Sequence, residues 1–450
     1  MNKSCYYKDI MQNKITKIIA EEIQDSRGNP TIKVIVWACP VVALAEGDGE
    51  KFGSFSVPSG ASTGAHEAHE LRDEDGNPPS LKNFGEAKGV KNAIEKVNNI
   101  IAPALIGQDI LNQKEIDRIM LQLDGTLNKD NLGGNSMIGV SIACAKLGAK
   151  VSGVETFEYL RTLAEIKPSR KIPYLFMNLI NGGKHAKNNL AFQEYHIVPN
   201  TEDVEEAVNI GIKIQNTLKE IIEKDLGEES VILGDEGGFA PKISDIRKPL
   251  EYLTQAIKEN NLEGKVLLAL DVAASSFFEI DNSFFNFNHG GKYLVADKRI
   301  SKQELMEIYK SLIKEFNLLS IEDPFNEEDF DSFTRLRSSS FGEASKMLVV
   351  GDDLTVTNKI LLKKAIKKGS INAMIIKPNQ IGTLSETLET VRLARENNIE
   401  LIISHRSGET NDDFIADLAY AFGCFGLKSG APMKIERKVK YDRLIEISKK

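Results

Sequence analysis

The sequence predicts an α/β chain whose larger part is a barrel of alternating strands and helices, preceded by a smaller α+β domain. Three observations lead there. Apolar runs of strand length end on an acid or a base at Asp271, Glu322, Asp352 and Lys377, in LLALD, LLSIED, MLVVGDD and AMIIK. Runs of this kind, bounded by polar turns, read as parallel strands buried on both faces. Past Lys167 and Pro168 such runs alternate with helical segments, which is the sequence form of βα units. Finally, 450 residues exceed what one core usually organises, so a second domain is expected.

The elements follow in order. Residues 1–13 read as a loose extension and 14–155 as the α+β capping domain. Strand-like runs near 15–23 and 31–38 flank the turn Asp25-Ser26-Arg27-Gly28-Asn29-Pro30. After the glycine-rich loop 59–64 come helical patterns near 83–101, 112–123 and 130–150. The barrel is placed at 165–450, with strands beginning at 172–178 and 191–198, then the four runs already quoted, then 401–405 and 425–430. VILGD (231–235) would make a ninth, and it is assigned to a loop between two helices because Gly237 and Gly238 suit an exposed turn. The resulting order is ββαα(βα)6, a modified (βα)8 barrel of the TIM type. Helix starts agree: Ser301 and Glu304 form a capping box, and Thr357-Asn358 opens ILLKKAIKK.

In such a barrel the carboxyl ends of the strands face the active site, so three carboxylates and an amine reach one mouth. That is the layout of a metal-assisted acid/base enzyme. Glu194 falls on the second strand and Lys377 on the sixth, opposite each other. An acid and a base so placed suit an elimination whose proton and leaving group depart from opposite faces.

Bulk properties exclude more than they assign. Lys+Arg 57 against Asp+Glu 65 gives −8 with no long run of one sign, so neither a nucleic-acid nor a membrane footprint is expected. An anionic substrate would then need local positive charge. Cys5, Cys39, Cys144 and Cys424 are scattered without ligand spacing, as expected of reduced thiols. The polar start MNKSCYYKDIMQNK and the lack of a segment long enough for a bilayer lead us to expect a cytoplasmic protein.

The longer motifs are specific. DSRGNPT (25–31), VPSGASTG (57–64), NGGKHA (181–186), FQEY (192–195), GDEGGFAP (234–241), SIEDPF (320–325), GDDLTVTN (351–358), IIKPNQIGT (375–383), SHRSGET (404–410) and LKSGAP (427–432) make the chain resemble the enolases, or phosphopyruvate hydratases, over roughly 14–448. The resemblance implies reversible dehydration of 2-phosphoglycerate to phosphoenolpyruvate, a step of glycolysis and gluconeogenesis. It implies Asp271, Glu322 and Asp352 as ligands of Mg²⁺, with a second Mg²⁺ arriving with substrate at the Gly60, Ala61 and Ser62 lid. Lys377 matches the general base and Glu236 the general acid. Arg406 and Ser407 match a phosphate clamp, while Lys428, His405, Gln193 and Glu194 match groups around the rest of the substrate, and His185 a histidine that closes over it. The enolase superfamily is also a stock example of Mg²⁺-stabilised ene-diolates formed by a Lys or His base.

Two protonation states follow from those roles. Lys377 must be neutral to take a proton, so the metal ions and Lys428 should depress its pKa. Glu236 must be protonated, so burial and Glu194 should raise its pKa.

Some positions depart from the family pattern: Lys184 and Lys187 beside His185, His196 in place of an apolar residue, Ser276 in place of an acid, Ser429 for threonine, and extra chain near 38–54. None removes a catalytic group. A homodimer, or an octamer of dimers, is implied by the resemblance. Two other readings stand beside it: a superfamily racemase or cycloisomerase acting on a carboxylate without phosphate, which SHRSGET and SGASTG oppose, and an added binding role at the cell surface, for plasminogen, or in an RNA-degrading assembly.

Overall fold

A computed structural model describes residues 13–39, 51–61, 63–73, 89–166, 171–280, 291–339 and 347–450. The expected N-terminal extension up to residue 12, most of the stretch at 38–54, the start of the helix at 83 and Ser62 lie outside the described residues.

Alternating burial builds the first sheet: in β2 (Pro30–Ala38) Ile32, Val34, Val36 and Ala38 face inward, with half-exposed residues between them. It pairs antiparallel with β1 (Ile15–Gln24) on one side and with β3 (Lys51–Ser56) on the other. The third strand was not expected, because KFGSFS is short and half polar. Helices follow: α1 (Lys91–Lys96), which runs through a π turn (Val97–Ile101) into Ala102–Leu105, then α2 (Gln113–Asp124), α3 (Gly134–Ser152) and α4 (Thr156–Ala164). The last is another addition, opened by a capping box between Glu155 and Glu158.

Helix α3 is almost wholly buried and lies on β2 and β3. The approach is close: a Cβ on Gly53 would stand 2.4 Å from the Ala143 carbonyl oxygen, and one on Gly139 would stand 2.7 Å from Val34 Cγ2. Its small residues therefore serve packing against a sheet. Among the described residues no single helix is long and apolar enough to cross a membrane.

The second part opens with two strands and two helices: β4 (Tyr174–Asn181), β5 (Glu194–Pro199), α5 (Val204–Leu226) and α6 (Lys248–Glu259). Residues 231–235 form no barrel strand, as the sequence reading expected. After β6 (Val266–Asp271) the chain inserts a small antiparallel sheet, β7 (Phe278–Ile280), β8 (Gly291–Val295) and β9 (Lys298–Ile300). Strands so short carry no readable period, and the insertion was not anticipated.

Regular βα units complete the chain: α7 (Lys302–Phe316), β10 (Ser320–Glu322), α8 (Phe330–Ser338), β11 (Leu348–Gly351), α9 (Lys359–Lys368), β12 (Ala373–Ile376), α10 (Leu384–Glu396), β13 (Glu400–Ser404), α11 (Phe414–Ala421), β14 (Gly426–Lys428) and α12 (Ile435–Ser448). Ser301 and Glu304 make the expected capping box of α7, and the Asn358 side chain accepts from Ile360 N at 2.8 Å at the start of α9.

The strands close in the order β10-β11-β12-β13-β14-β4-β5-β6. Strand β5 runs antiparallel to both neighbours, whereas the other adjacent pairs are parallel. Glu194, its first residue, therefore lies at the rim where the other strands end, in register with Asp271, which in turn is in register with Glu322. Four positions separate β5 from β12, so the two face each other. Phe176, Val198, Ala269, Val350, Ile375 and Ile402 fill the barrel interior below that rim.

The capping domain is tied down by polar groups. Buried Asp117 on α2 accepts from Ser385 N at 2.9 Å and Ser385 Oγ at 2.6 Å at the amino end of α10. Ser59 and Gly408 exchange backbone hydrogen bonds of 2.8 and 2.9 Å, which fastens the 59–64 loop to the barrel rim.

Gly53→Ala drives a methyl into the backbone of α3 and is expected to cost about 2 kcal/mol. Urea unfolding measures this, and a change within about 0.5 kcal/mol of zero would contradict the packing.

Candidate active site

Lysine among the acids is the first feature of the mouth. Lys428, the last residue of β14, places Nζ 2.8 Å from Asp271 Oδ2, 3.0 Å from both Glu322 oxygens and 3.3 Å from Glu194 Oε2. Lys377, just past β12, donates to Asp352 Oδ2, and Gln380 Nε2 donates to the other oxygen of Asp352 at 2.9 Å. Asp271, Glu322 and Asp352 are buried and converge on this amine pair. Behind them, buried Asp323 accepts from the backbone N–H of Asp352 at 3.0 Å and of Asp353 at 2.6 Å.

Seven buried carboxyl groups (Glu194, Glu236, Asp271, Glu322, Asp323, Asp352 and Asp353) share this mouth with the permanent cations Lys377, Arg406 and Lys428, and with Arg437 behind His405. Burial and then mutual repulsion push Glu322, Asp323 and Asp353 well above the usual carboxyl range, and burial raises Asp271. Hard oxygen donors in excess of positive charge fit a divalent cation. Among the described residues, two groups each have potential ligand atoms within 4.8 Å of one another: His185, Glu194 and Glu236, and Asp323, Asp352 and Asp353. In the triad expected from the resemblance, the ammonium of Lys428 bridges Asp271 and Glu322.

Across the mouth stands a histidine–acid group. His185 Nδ1 lies 3.3 Å from Glu194 Oε1 and 3.5 Å from Glu236 Oε1. Burial works against a charged imidazole there, but Glu236 and Glu194 outweigh it and raise the His185 pKa. Glu236, on the loop between α5 and α6, accepts from Asn178 Nδ2 at 2.9 Å and faces His405 Nε2 at 3.3 Å. Arg437 approaches His405 Nδ1 to 2.6 Å, and since a guanidinium only donates, Nδ1 accepts and the remaining proton sits on Nε2. Burial lowers the His405 pKa, with Glu236 opposing and the Arg437 charge adding to the fall.

The third side is built from the capping domain. Arg406 forks onto Glu67 at 2.9 and 3.2 Å and reaches Asn379 Oδ1 at 3.1 Å. Gly60 lies flat on that guanidinium: a Cβ on it would stand 2.1 Å from Arg406 Nη2. Ala61 N donates to Ser407 Oγ at 2.7 Å, and Arg27 Nη2 donates to Ser59 Oγ at 2.9 Å. Gln193 N donates to the Asp271 carbonyl oxygen at 3.1 Å, while its side-chain Oε1 is buried without a partner. With Ser62 outside the described residues, every other expected site residue lies at this mouth or its lid.

Two protonation states, set by the protein's own groups alone, run opposite to those expected for the magnesium-loaded site. Lys377 is raised, not depressed: burial and the charges of Arg406 and Lys428 push it down, but Asp352 directly against the amine outweighs them. Glu236 is lowered, not raised: burial and Glu194 push it up, and His405 and His185 together prevail.

Several contributors were missed. Asp323 and Asp353 are the second acids of IED and GDD, where doubled acids were a usable signal. Glu67 follows the lid motif by three residues and shows its function only through Arg406. Gln380 sat inside the IIKPNQIGT motif without an assigned role, and Asn178 and Arg437 carried no signal, because each acts through a neighbour distant in sequence.

Comparison with known proteins agrees with this geometry. Residues 169–450 match the enolase C-terminal TIM barrel domain, and residues 15–160 match the enolase N-terminal domain. An enolase of Methanocaldococcus jannaschii is 43% identical over 435 residues, covering 96% of this chain and 95% of its own. An enolase of Thermococcus kodakarensis is 42% identical over 438 residues, with 96% and 94% covered, and enolase B of Dictyostelium discoideum is 41% identical over 437, again with 96% and 94% covered. The chain belongs to the enolase family, the lyases that act as phosphopyruvate hydratases.

Proposed function

We propose that this chain catalyses the reversible, Mg²⁺-dependent dehydration of 2-phosphoglycerate to phosphoenolpyruvate, with Lys377 as general base and Glu236 as general acid. The observation that carries the proposal is the convergence of Asp271, Glu322 and Asp352 on two lysines, opposite a histidine-flanked glutamate.

The reaction removes a proton next to a carboxylate, which adds charge to a group already negative, so fixed positive charge is required at that point. Magnesium held by Asp271, Glu322 and Asp352 would supply that charge and would compete with Lys428 and Lys377 for the same acids, and a second ion would enter with the substrate phosphate beside the 59–64 loop.

The protein's own groups divide the remaining work. Lys377, just past β12, takes the proton from carbon 2: Asp352 against the amine keeps it charged, and with that carboxylate drawn to magnesium the amine would be free to act as base. Glu236, which His405 and His185 hold ionised, would take up a proton as the anionic substrate arrives beside it, and it delivers that proton to the departing hydroxyl on carbon 3, so that water leaves and the double bond forms between carbons 2 and 3. Arg406 and Ser407 face the phosphate, with the planar fork that matches its oxygens. Exchanging Glu67 for phosphate gives Arg406 a different anion and keeps its charge compensated. Lys428, His405 and Gln193 face the carboxylate and neighbouring oxygens, and His185 closes the entrance with Glu194. Glycolysis and gluconeogenesis are the setting this reaction would serve.

Lys377→Ala is expected to lower exchange of the carbon-2 hydrogen with solvent deuterium, and turnover with it, by about 10²-fold or more. Exchange at the wild-type rate would remove Lys377 as the base. Glu236→Gln should slow water loss more than that exchange, and equal slowing of both would exclude it as the acid.

Mg²⁺ at a hundredfold excess over its Kd should stabilise the fold by about 2 to 3 kcal/mol, read as a rise in Tm. EDTA should reverse the rise and abolish turnover, and Glu322→Gln should remove most of it. Full activity in EDTA would refute the metal requirement.

A further inference from the structure

His196 lies on β5, two residues past Glu194 and beneath the acid side of the mouth. Strand β5 alternates its side chains, so Glu194, His196 and Val198 share the face turned into the barrel, while Tyr195 and Ile197 pack outward against the helices. Glu194 stands at the rim and Val198 belongs to the apolar filling below it. His196 lies between them, 1% exposed, with its ring edge-on to Phe176 at 6.1 Å between centroids.

A polar ring in that layer needs a partner, and it has one. His196 Nε2 is 2.8 Å from Glu194 Oε2. An ionised carboxylate only accepts, so Nε2 carries a hydrogen, while Nδ1 is buried without a partner. The same Oε2 lies 3.3 Å from Lys428 Nζ, and Oε1 lies 3.3 Å from His185 Nδ1. His196 thus supplies the hydrogen bond to this carboxylate from below, while Lys428 from the acid cluster and His185 from the loop after β4 stand at ion-pair distance.

The neighbouring strand repeats the device. Asn178 is paired with His196 in the β4–β5 register, and its Nδ2 holds Oε2 of Glu236 at 2.9 Å. Each of the two facing glutamates is therefore anchored from the layer beneath it, on adjacent strands.

We infer that His196 is a positioning residue for dehydration: by donating Nε2–H to Glu194 it fixes the carboxylate that faces His185 and Lys428, and so sets the geometry of the acid side of the mouth. The inference rests on the proposed function, because Glu194 matters only if this mouth turns over substrate. His196 itself touches no reacting atom.

Steady-state kinetics of the Mg²⁺-loaded full-length protein on 2-phosphoglycerate test it, with Tm measured for each variant. His196→Leu is expected to lower kcat by about ten- to a hundredfold with KM changed less than about threefold, the effect typical of losing a hydrogen bond to a charged group behind a site. His196→Gln, which keeps a donor of similar reach, should recover most of that loss. In a Glu194→Gln background, His196→Leu should add little further loss, because the charged group it positions is gone. Should His196→Leu fail to fold, His196→Met, longer and more adaptable, takes its place. Wild-type kcat in the apolar variant overturns the inference. So does the same fold-loss in both backgrounds, or a Gln variant no better than Leu at equal Tm. Absence of any turnover by the wild type would overturn the proposed function and this inference with it, whereas wild-type turnover with indifferent His196 variants overturns the inference alone.

Discussion

The ammonium of Lys428 lies 2.8 Å from Asp271 and 3.0 Å from Glu322, in a mouth where buried carboxylates outnumber permanent cations. Removing like charges from water together is costly unless opposite charge accompanies them. Lysines supply part of that charge, and the surplus that remains is what a divalent cation would satisfy. The barrel exists in its present form to meet this condition: parallel strands bring Asp271, Glu322, Asp352, Lys377 and Lys428 to one rim, and the reversed β5 brings Glu194 to the same rim from the other direction.

The capping domain completes what the barrel begins. Arg406 is held between Glu67 of the first domain and Asn379 of the second, with Gly60 lying against its guanidinium where any side chain would collide. Arg27, in the turn between β1 and β2, bonds Ser59 and approaches Ser407, so the Arg406–Ser407 side of the mouth and the lid are positioned by one hairpin. Asp117 at the amino end of α10 then fixes how the two domains meet. Changes in the first domain should therefore reach the chemistry through Arg406.

Much of this was legible in the sequence because the physics is local there. An apolar run ending on a charged residue places that residue at a barrel rim whatever the surroundings, and that was enough to bring together Asp271, Glu322, Asp352 and Lys377. The double glycine after Asp235 was enough to keep VILGD out of the barrel. What the sequence did not show is relational. Glu67 acquires its function from Arg406, 339 residues away, and Arg437 from His405, 32 residues away. The direction of the Lys377 and Glu236 shifts depends on whether Asp352 or Arg406, or Glu194 or His405, stands closer, which no spacing encodes. Strands as short as β7 and β9, three residues each, carry no period to read.

The location of the cation is the point on which all of this turns. Anomalous diffraction from crystals soaked in Mn²⁺, a hard ion of similar ligand preference, would locate it directly. The expected result is a peak about 2.0 to 2.2 Å from carboxylate oxygens of Asp271, Glu322 and Asp352, with Lys428 withdrawn from between them. A peak held instead by His185, Glu194 and Glu236, or by Asp323 and Asp353 with the Asp271–Lys428–Glu322 bridge intact, would contradict it.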